Sequence, residues 1–322
     1  MTILIINNLI FYITVPFLIT WLIMPYMIRK LTASGYTVRD YYKKNNKKVP
    51  TKGGLVILIV TMFTVSLSAF FNELPESNFK ILVVLALFGL FGVLDDMIDI
   101  GRPAKLILLY FCSLPLVYIP FNSSPYFSNI FSFLGDPNNS ALYLYFIIPV
   151  YVLVTSNLVN MHSGFNGLAS GTSLIVLITL LLKSLLIGSI DNIIVIVGLT
   201  GAILGYFWYN RYPSKIFWGN IGSLTSGAAI GIIIVLQGFL ISGFIILIPH
   251  TINFLMYVYW RIKKLPLIKF GKRREDGTLE VPNPLTLKWV LPYYYQVTEK
   301  QATRAMYAVT AVFCVVGFFV NG

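Results

Sequence analysis

Ten apolar stretches, each near the length of a bilayer crossing, divide this chain: residues 3–28, 53–72, 79–94, 105–120, 141–158, 168–187, 192–209, 223–239, 241–260 and 304–321. A helix needs about 20 mostly apolar residues to cross the hydrocarbon core of a membrane. A mean hydropathy of +0.78 and a charged fraction of 11% exclude an ordinary soluble domain. They predict an all-α polytopic membrane protein of about ten transmembrane helices. The first run is long enough to span and lacks a basic leader, so no cleavable signal is expected. Cys112 and Cys314 both fall in apolar runs and form neither a metal motif nor a disulfide framework.

The charges orient these spans. Ten crossings put segments 29–52, 95–105, 210–222 and 261–304 on one side, and those segments hold all but Lys80 and Lys183 of the 24 Lys and Arg residues. The positive-inside rule makes that side cytoplasmic and both termini external. An error of one span would scramble the segregation. The net charge of +12 is therefore read as a basic cytoplasmic face, with no nucleic-acid partner. On the opposite side, segment 73–78 is short, and 121–140 is rich in Ser, Asn and Pro and reads as a surface loop. No internal repeat or low-complexity tract is found. The longest polar excursion, the cytoplasmic loop 261–303, is too small for a core of its own. Residues 1–322 are expected to form one integral membrane domain.

Within this frame the stretch Phe91-Gly92-Val93-Leu94-Asp95-Asp96-Met97-Ile98-Asp99 sets three carboxylates at the end of an apolar run. An Asp at the centre of a membrane helix costs about 2.5–3.5 kcal/mol on insertion scales. The three must therefore lie at the water boundary or be neutralised. A continuing helix would put Asp95 and Asp99 on one face, with Asp96 and Asp99 adjacent. Clustered carboxylates repel unless a cation or proton sits among them, and an oxygen-only ligand set suits Mg²⁺ or Mn²⁺.

Further polar strings fall on the same side. Asn157-Leu158-Val159-Asn160-Met161-His162-Ser163-Gly164-Phe165-Asn166-Gly167-Leu168 interrupts two spans with amides and glycines. It suits either a cavity wall, where irregular backbone is tolerated at this depth, or a plain turn between helices. Gly219-Asn220-Ile221-Gly222-Ser223 opens a span; its free N–H groups favour phosphate, although Asn or Ser also caps ordinary helices. Lys269, Lys272, Arg273 and Arg274 precede an Asp276-Gly277 turn and could clamp a diphosphate or meet anionic lipid headgroups. The first basic segment carries Asp40 and Lys43, then Gly53-Gly54 at the mouth of a span, where close packing or ligand approach is allowed. His162 and His250 read as isolated histidines, and His250 as structural.

Taken together, these strings resemble the polyprenyl-phosphate N-acetylhexosamine-1-phosphate transferases over nearly the whole length. Asp95-Asp96-x-x-Asp99 is similar to that family's aspartate-rich motif, Lys105 to the lysine that follows it, Asn157-x-x-Asn160-x-x-x-Gly164-x-Asn166-Gly167-Leu168 to its Asn-rich loop, and Gly219-Asn220-x-Gly222-Ser223 to its Gly-Asp loop. Pro249-His250-Thr251-Ile252-Asn253-Phe254-Leu255 and Gly277-Thr278-Leu279-Glu280 resemble the dolichyl-phosphate GlcNAc-1-phosphotransferase branch. The histidine cluster of the bacterial muramoyl-pentapeptide branch is absent, as is the family's Arg-His-Arg string.

The resemblance implies ten helices, external termini and a cytoplasmic Mg²⁺-dependent site, with Mn²⁺ as the alternative ion. There a UDP-sugar donor, UDP-GlcNAc or a relative, meets a polyprenyl or dolichyl phosphate. The products would be polyprenyl diphosphate-sugar and UMP. By motif position, Asp95 and Asp96 would work near the phosphates, with Asp95 tuning or deprotonating the lipid phosphate. Lys105 would hold phosphate charge, Asn160 and Asn220 would ligate the metal, and Asn166 and Phe217 would contact the uracil. Asp40, Lys43, Asp99, Arg273 and Arg274 complete the expected substrate-binding set. At position 220 the family usually carries Asp; Asn supplies an oxygen but one negative charge fewer. The expected membrane is an archaeal plasma membrane, or the endoplasmic reticulum in a eukaryote, and the expected oligomer, if any, a homodimer. The competing reading is a transporter or flippase of a phosphorylated lipid or metabolite. Its site would lie near the midplane and its halves would repeat, whereas these motifs gather on one face.

Overall fold

The computed structural model describes residues 2–43, 47–71, 74–98, 100–119, 140–187, 190–266, 268 and 270–320. Asp99, Lys269 and all of the loop 121–140 except Ser140 lie outside the described residues.

The chain begins with α1 (Thr2–Ala33), then a hairpin of β1 (Thr37–Arg39) and β2 (Lys48–Pro50), antiparallel with Val38 opposite Val49. Helices α2 (Gly54–Phe71), α3 (Glu76–Ile98) and α4 (Arg102–Ser113) follow, the last running into a 3₁₀ turn at Leu114–Tyr118. After the loop, a π-helical turn (Tyr143–Ile147) leads into α5 (Ile148–Met161), then α6 (Leu168–Ile187), α7 (Ile194–Asn210) and α8 (Gly219–Leu236). The last third holds α9 (Leu240–Ile246), α10 (Ile248–Ile262), a second hairpin of β3 (Lys272–Arg273) and β4 (Leu279–Glu280), α11 (Leu287–Tyr294) and α12 (Glu299–Phe319).

Among the described residues, seven helical segments are long and apolar enough to cross a membrane: Leu9–Ala33, Glu76–Ile98, Tyr143–Met161, Leu168–Ile187, Asp191–Asn210, Gly219–Leu236 and Glu299–Phe319. The pair α9–α10, bent by 63°, makes an eighth if counted as one span. Two of the expected spans come out differently for a visible reason. The span expected at 241–260 is broken, with Pro249 in the first turn of α10, where a missing N–H costs no helical bond. The span expected at 105–120 tightens after Ser113 into the 3₁₀ turn, which carries Pro115 in its first turn. The second expected span, α2, has 18 residues and sits at the short end of the range.

The bundle is built around α8, in which every residue from Ile221 to Leu236 is buried. Small residues let the backbones close on one another, as membrane helices require in place of a hydrophobic drive. A Cβ on Gly227 would lie 2.6 Å from Ser156 Cα on α5, and one on Gly92 of α3 would lie 2.6 Å from Ile221 Cα. Gly201 and Gly205 seat α7 on α1 in the same way, at 2.3 Å from Ile13 O and 2.5 Å from Phe17 O.

Gly53 and Gly54 do the same at the start of α2. Their N–H groups donate to Phe217 O and Trp218 O, both at 2.9 Å, and a Cβ on Gly54 would meet Gly222 N at 2.3 Å. The starts of α2 and α8 and the ends of α3 and α5 thus meet at one end of the bundle. Over that end lies a second, smaller core of Tyr42, Phe165, Leu168, Trp260, Leu279, Trp289, Ala302 and Met306. Residues 261–303 therefore share a core with the first hairpin and the Asn-rich loop.

Candidate active site

The last turn of α3 carries two aspartates with different surroundings. Asp95 is buried and held by three donors: Lys105 Nζ at 2.6 Å, Asn220 Nδ2 at 2.9 Å and Ile100 N at 3.1 Å. Asp96 lies on the wall of a cavity of about 700 Å³ and takes the Asn220 backbone N–H on both oxygens at 3.1 Å. The free N–H that the sequence places at the start of α8 is thus met by a carboxylate of the chain itself. Gly219 makes this approach possible: its φ is +69°, and a Cβ there would lie 2.3 Å from Asp96 Oδ2. Lys105, expected to hold phosphate charge, is paired with Asp95. Lys52 and Lys105 both lie within electrostatic reach of Asp96.

The same cavity is lined by Asp40, Asn160, Asn166, Phe217 and Asn220. Asn160 Oδ1 accepts from Ser223 Oγ at 2.8 Å, tying the end of α5 to the start of α8. Asn166 closes a ring of four polar contacts across three segments. Its Nδ2 donates to Asp40 Oδ2 at 3.0 Å, and Asp40 pairs with Lys43 at 2.9 Å. Lys43 donates to Ser214 O at 2.8 Å, and Ser214 N–H returns to Asn166 Oδ1 at 2.7 Å. An amide has two N–H donors and two lone pairs. The ring uses one of each, and the second of each stays outside it.

The basic segment divides. Arg273 lines an adjoining cavity of about 540 Å³ together with Arg39, Lys43 and Lys272. Tyr41 and Phe270, stacked at 3.8 Å, line both cavities. Arg274 is spent on its own hairpin, donating to Leu279 O at 3.0 Å and Thr278 Oγ1 at 3.5 Å. The expected turn is present, with Gly277 at φ +91° and Asp276 Oδ1 accepting from Thr278 N–H at 2.8 Å. Tyr42 ties this segment to the first hairpin, its hydroxyl accepting from Gly271 N and Trp289 Nε1, and burial pushes its phenol above the usual range.

The structure also joins residues that the sequence left apart. His162 and His250 are buried with their rings edge to face at 4.7 Å, and none of their nitrogens has a hydrogen-bond partner among the described residues. Burial first, then the neighbouring His250 and Lys288, pull the His162 imidazole well below its ordinary range. Four further side chains bond the backbone of the Asn-rich loop: Asn253, which falls in the Pro249–Leu255 string, and Lys288, Glu299 and Tyr307, which no motif singles out. Their partners are more than 90 residues away, so no local spacing announces them. Glu299 alone has a local signature, as the acid in the first turn of α12, and that reads as ordinary helix-end chemistry.

A polytopic helical membrane protein with acids, amides and lysines gathered around one cavity is the class that fold and site define. The sequence profile of glycosyl transferase family 4 matches residues 78–238, from the start of α3 through the end of α8, and the chain belongs to that family. A protein of Sulfolobus acidocaldarius, provisionally named a UDP-N-acetylglucosamine–dolichyl-phosphate N-acetylglucosaminephosphotransferase, is 30% identical over 285 residues, 84% of each chain. A provisionally named glycosyltransferase of Methanocaldococcus jannaschii is 26% identical over 98% of this chain and 97% of its own. A phospho-N-acetylmuramoyl-pentapeptide-transferase of Streptococcus pneumoniae is 31% identical over 68% of this chain and 70% of its own.

Proposed function

We propose that this protein transfers a sugar 1-phosphate, GlcNAc-1-phosphate from UDP-GlcNAc as the leading candidate, to a polyprenyl or dolichyl phosphate. In this reading the membrane is crossed ten times with both termini external, counting α2, α4 and the bent pair α9–α10. The site lies on the cytoplasmic face of a prokaryotic plasma membrane, and the step opens the assembly of a glycan on its lipid carrier. The observation that carries the reading is that Asp96, Asn160, Asn166, Phe217 and Asn220, drawn from three separate stretches of the chain, line one cavity. The names of the relatives supply the donor and acceptor classes.

The reaction joins an oxygen of the lipid phosphate to the phosphorus that bears the sugar. The bond from that phosphorus to the UMP oxygen breaks, and UMP leaves with the electron pair. Phosphoryl transfer asks mainly for positioning and charge neutralisation. Asp96 is the carboxylate on the cavity wall and takes the catalytic role. Asp95, enclosed by three donors, fixes Lys105 and Asn220 in place. Asn166 and Phe217 form the wall for the nucleobase, where the second lone pair of the Asn166 amide suits an N–H donor such as that of uracil. Arg273, with Arg39 and Lys272, gives the adjoining cavity the charge to hold the diphosphate.

The donor set fits Mg²⁺, with Mn²⁺ as the alternative. Asp96, Asn160 and Asn220 offer hard oxygen atoms on one wall, and no cluster of three His, Cys, Asp or Glu is found among the described residues. A single carboxylate is too little charge for a protein-only cage, which accords with an ion that keeps substrate phosphates in its shell. When bound, the ion would offset phosphate charge as the P–O bond breaks.

The test is purified protein in detergent with a panel of labelled UDP-sugars, polyprenyl phosphate and Mg²⁺. Labelled lipid and UMP in equal amounts are expected. Absence of product with every UDP-sugar would turn the case toward transport of a phosphorylated lipid.

A further inference from the structure

Local bonds such as Ser163 Oγ to Asn160 O at 2.8 Å and Leu168 N to Phe165 O at 3.1 Å hold only part of the Asn-rich loop. Gly164 and Gly167 take φ of +109° and +74°, a region that favours glycine. Four of the loop's backbone groups are instead bonded by side chains from the last third of the chain, all outside residues 78–238. Asn253 Nδ2 donates to Met161 O at 3.2 Å, and Lys288 Nζ to Ser163 O at 2.6 Å. Tyr307 Oη donates to Gly167 O at 2.6 Å. Glu299 Oε1 accepts from the Asn166 N–H, also at 2.6 Å.

Glu299 is the member that folding alone does not explain. The residue is 2% exposed, and Oε2 has no hydrogen-bond partner among the described residues. Asp40, a like charge, stands nearby, offset by Lys43. A carboxylate enclosed with so few donors is expensive, and a first-turn Glu free to face water would keep its favourable interaction with the helix dipole without that cost. What the burial secures is the position of Asn166, at the node where the ring through Asp40, Lys43 and Ser214 closes on the cavity wall.

We infer that Glu299 is a positioning residue for the nucleotide half of the donor: it fixes the Asn166 backbone and through it the wall that receives the base. The inference rests on the transferase reading above. The carboxylate of Glu299 reaches from the first turn of α12 to a backbone N–H of the loop.

The experiment is steady-state kinetics of the full chain in detergent, with UDP-GlcNAc and polyprenyl phosphate varied separately. Glu299→Ala is expected to raise the donor KM by about tenfold or more, the loss of one charge-assisted hydrogen bond. The lipid KM and kcat should stay within about twofold, as expected when uniform donor binding is removed. Glu299→Gln, which keeps an acceptor oxygen at the same reach, should restore the donor KM, whereas Glu299→Asp, one methylene shorter, should behave like Glu299→Ala. The Gln and Asp pair carries the test if Glu299→Ala is not recovered folded. An unchanged donor KM, a parallel loss in all three constants, or Glu299→Asp outperforming Glu299→Gln overturns the role. Wild-type protein inert toward every UDP-sugar overturns the transferase reading as well, so the two failures are told apart.

Discussion

Asn220 and Asp95 are joined side chain to side chain, the amide Nδ2 donating to Oδ2 at 2.9 Å on the same oxygen that takes Lys105. An Asp at 220 would lose that donor and set a second carboxylate against Asp95. Loss of a hydrogen bond to a charged group costs about 1.5–3 kcal/mol, and the new repulsion adds to it. A divalent cation between the carboxylates would reverse the sign. Asn220→Asp is therefore expected to melt lower than wild type in EDTA, to recover on addition of Mg²⁺, and to need less Mg²⁺ for half-maximal rate. Melting curves with and without chelator, beside a Mg²⁺ titration of activity, check it. A Mg²⁺ requirement equal to wild type would remove position 220 from any metal shell.

Asp96 differs from Asp95 in facing the cavity rather than a cluster of donors. Asp96→Asn keeps the size of the side chain and one oxygen for the Asn220 N–H, so folding and membrane insertion should survive. The charge does not survive, and turnover is expected to fall by about 100-fold or more. Activity of purified protein, normalised to monodisperse material, is the measurement. Turnover near wild type would move the catalytic role elsewhere.

These two residues mark what a single sequence makes legible. The apolar runs appear as helices because length and hydropathy are local properties, and the motif strings stand out because glycine, amide and acid are each unusual inside such runs. The breaks were less visible. Pro249 sits in an apolar run that reads as continuous, and only packing shows that the chain turns by 63° there. The division of labour between Asp95 and Asp96 was out of reach as well, since it depends on which neighbour Lys105 and Asn220 choose. So were the supports of the Asn-rich loop, where a side chain such as Tyr307 meets a carbonyl 140 positions away.

Lys288 gives that support a pH signature. Burial pulls its ammonium down to about 8 from an ordinary 10.5, against the opposing pull of Glu299. Below pH about 8 the group is charged in both the folded and unfolded chain, and the folded state bears the cost of partly desolvating it. Between about 8 and 10.5 the folded state has released its proton while the unfolded state keeps it, so this group's contribution to stability rises through that window. The neutral amine still donates to Ser163 O. Melting temperatures of wild type and Lys288→Met, compared from neutral to alkaline pH, should diverge in favour of wild type above pH about 8. Parallel curves would show that the ammonium is not desolvated.

The two lysines that escape the basic face make the last test. Lys80 pairs with Glu76 at 2.9 Å and donates to Tyr118 O at 2.7 Å. Lys183 is buried near the end of α6, with Nζ donating to Gly317 O at 3.2 Å and to Val320 O, over the Phe239 ring at 5.0 Å. It thus meets carbonyls at the C-terminus of α12, where a cation opposes the helix dipole and backbone oxygens have no intrahelical partner. Removing the charge relieves its own desolvation but strands Val320 O; Gly317 O keeps Ser242 Oγ at 2.6 Å. The stranded carbonyl and the lost dipole contact outweigh the relief, because the cation here is already paired with oxygens. Lys183→Met is expected to lower stability by about 1–2 kcal/mol. The candidate active site shares no side chain with this end of α12, so the donor KM should not move. Thermal unfolding in detergent beside donor kinetics separates the two, and a raised donor KM with unchanged stability would contradict the assignment of Lys183 to structure alone.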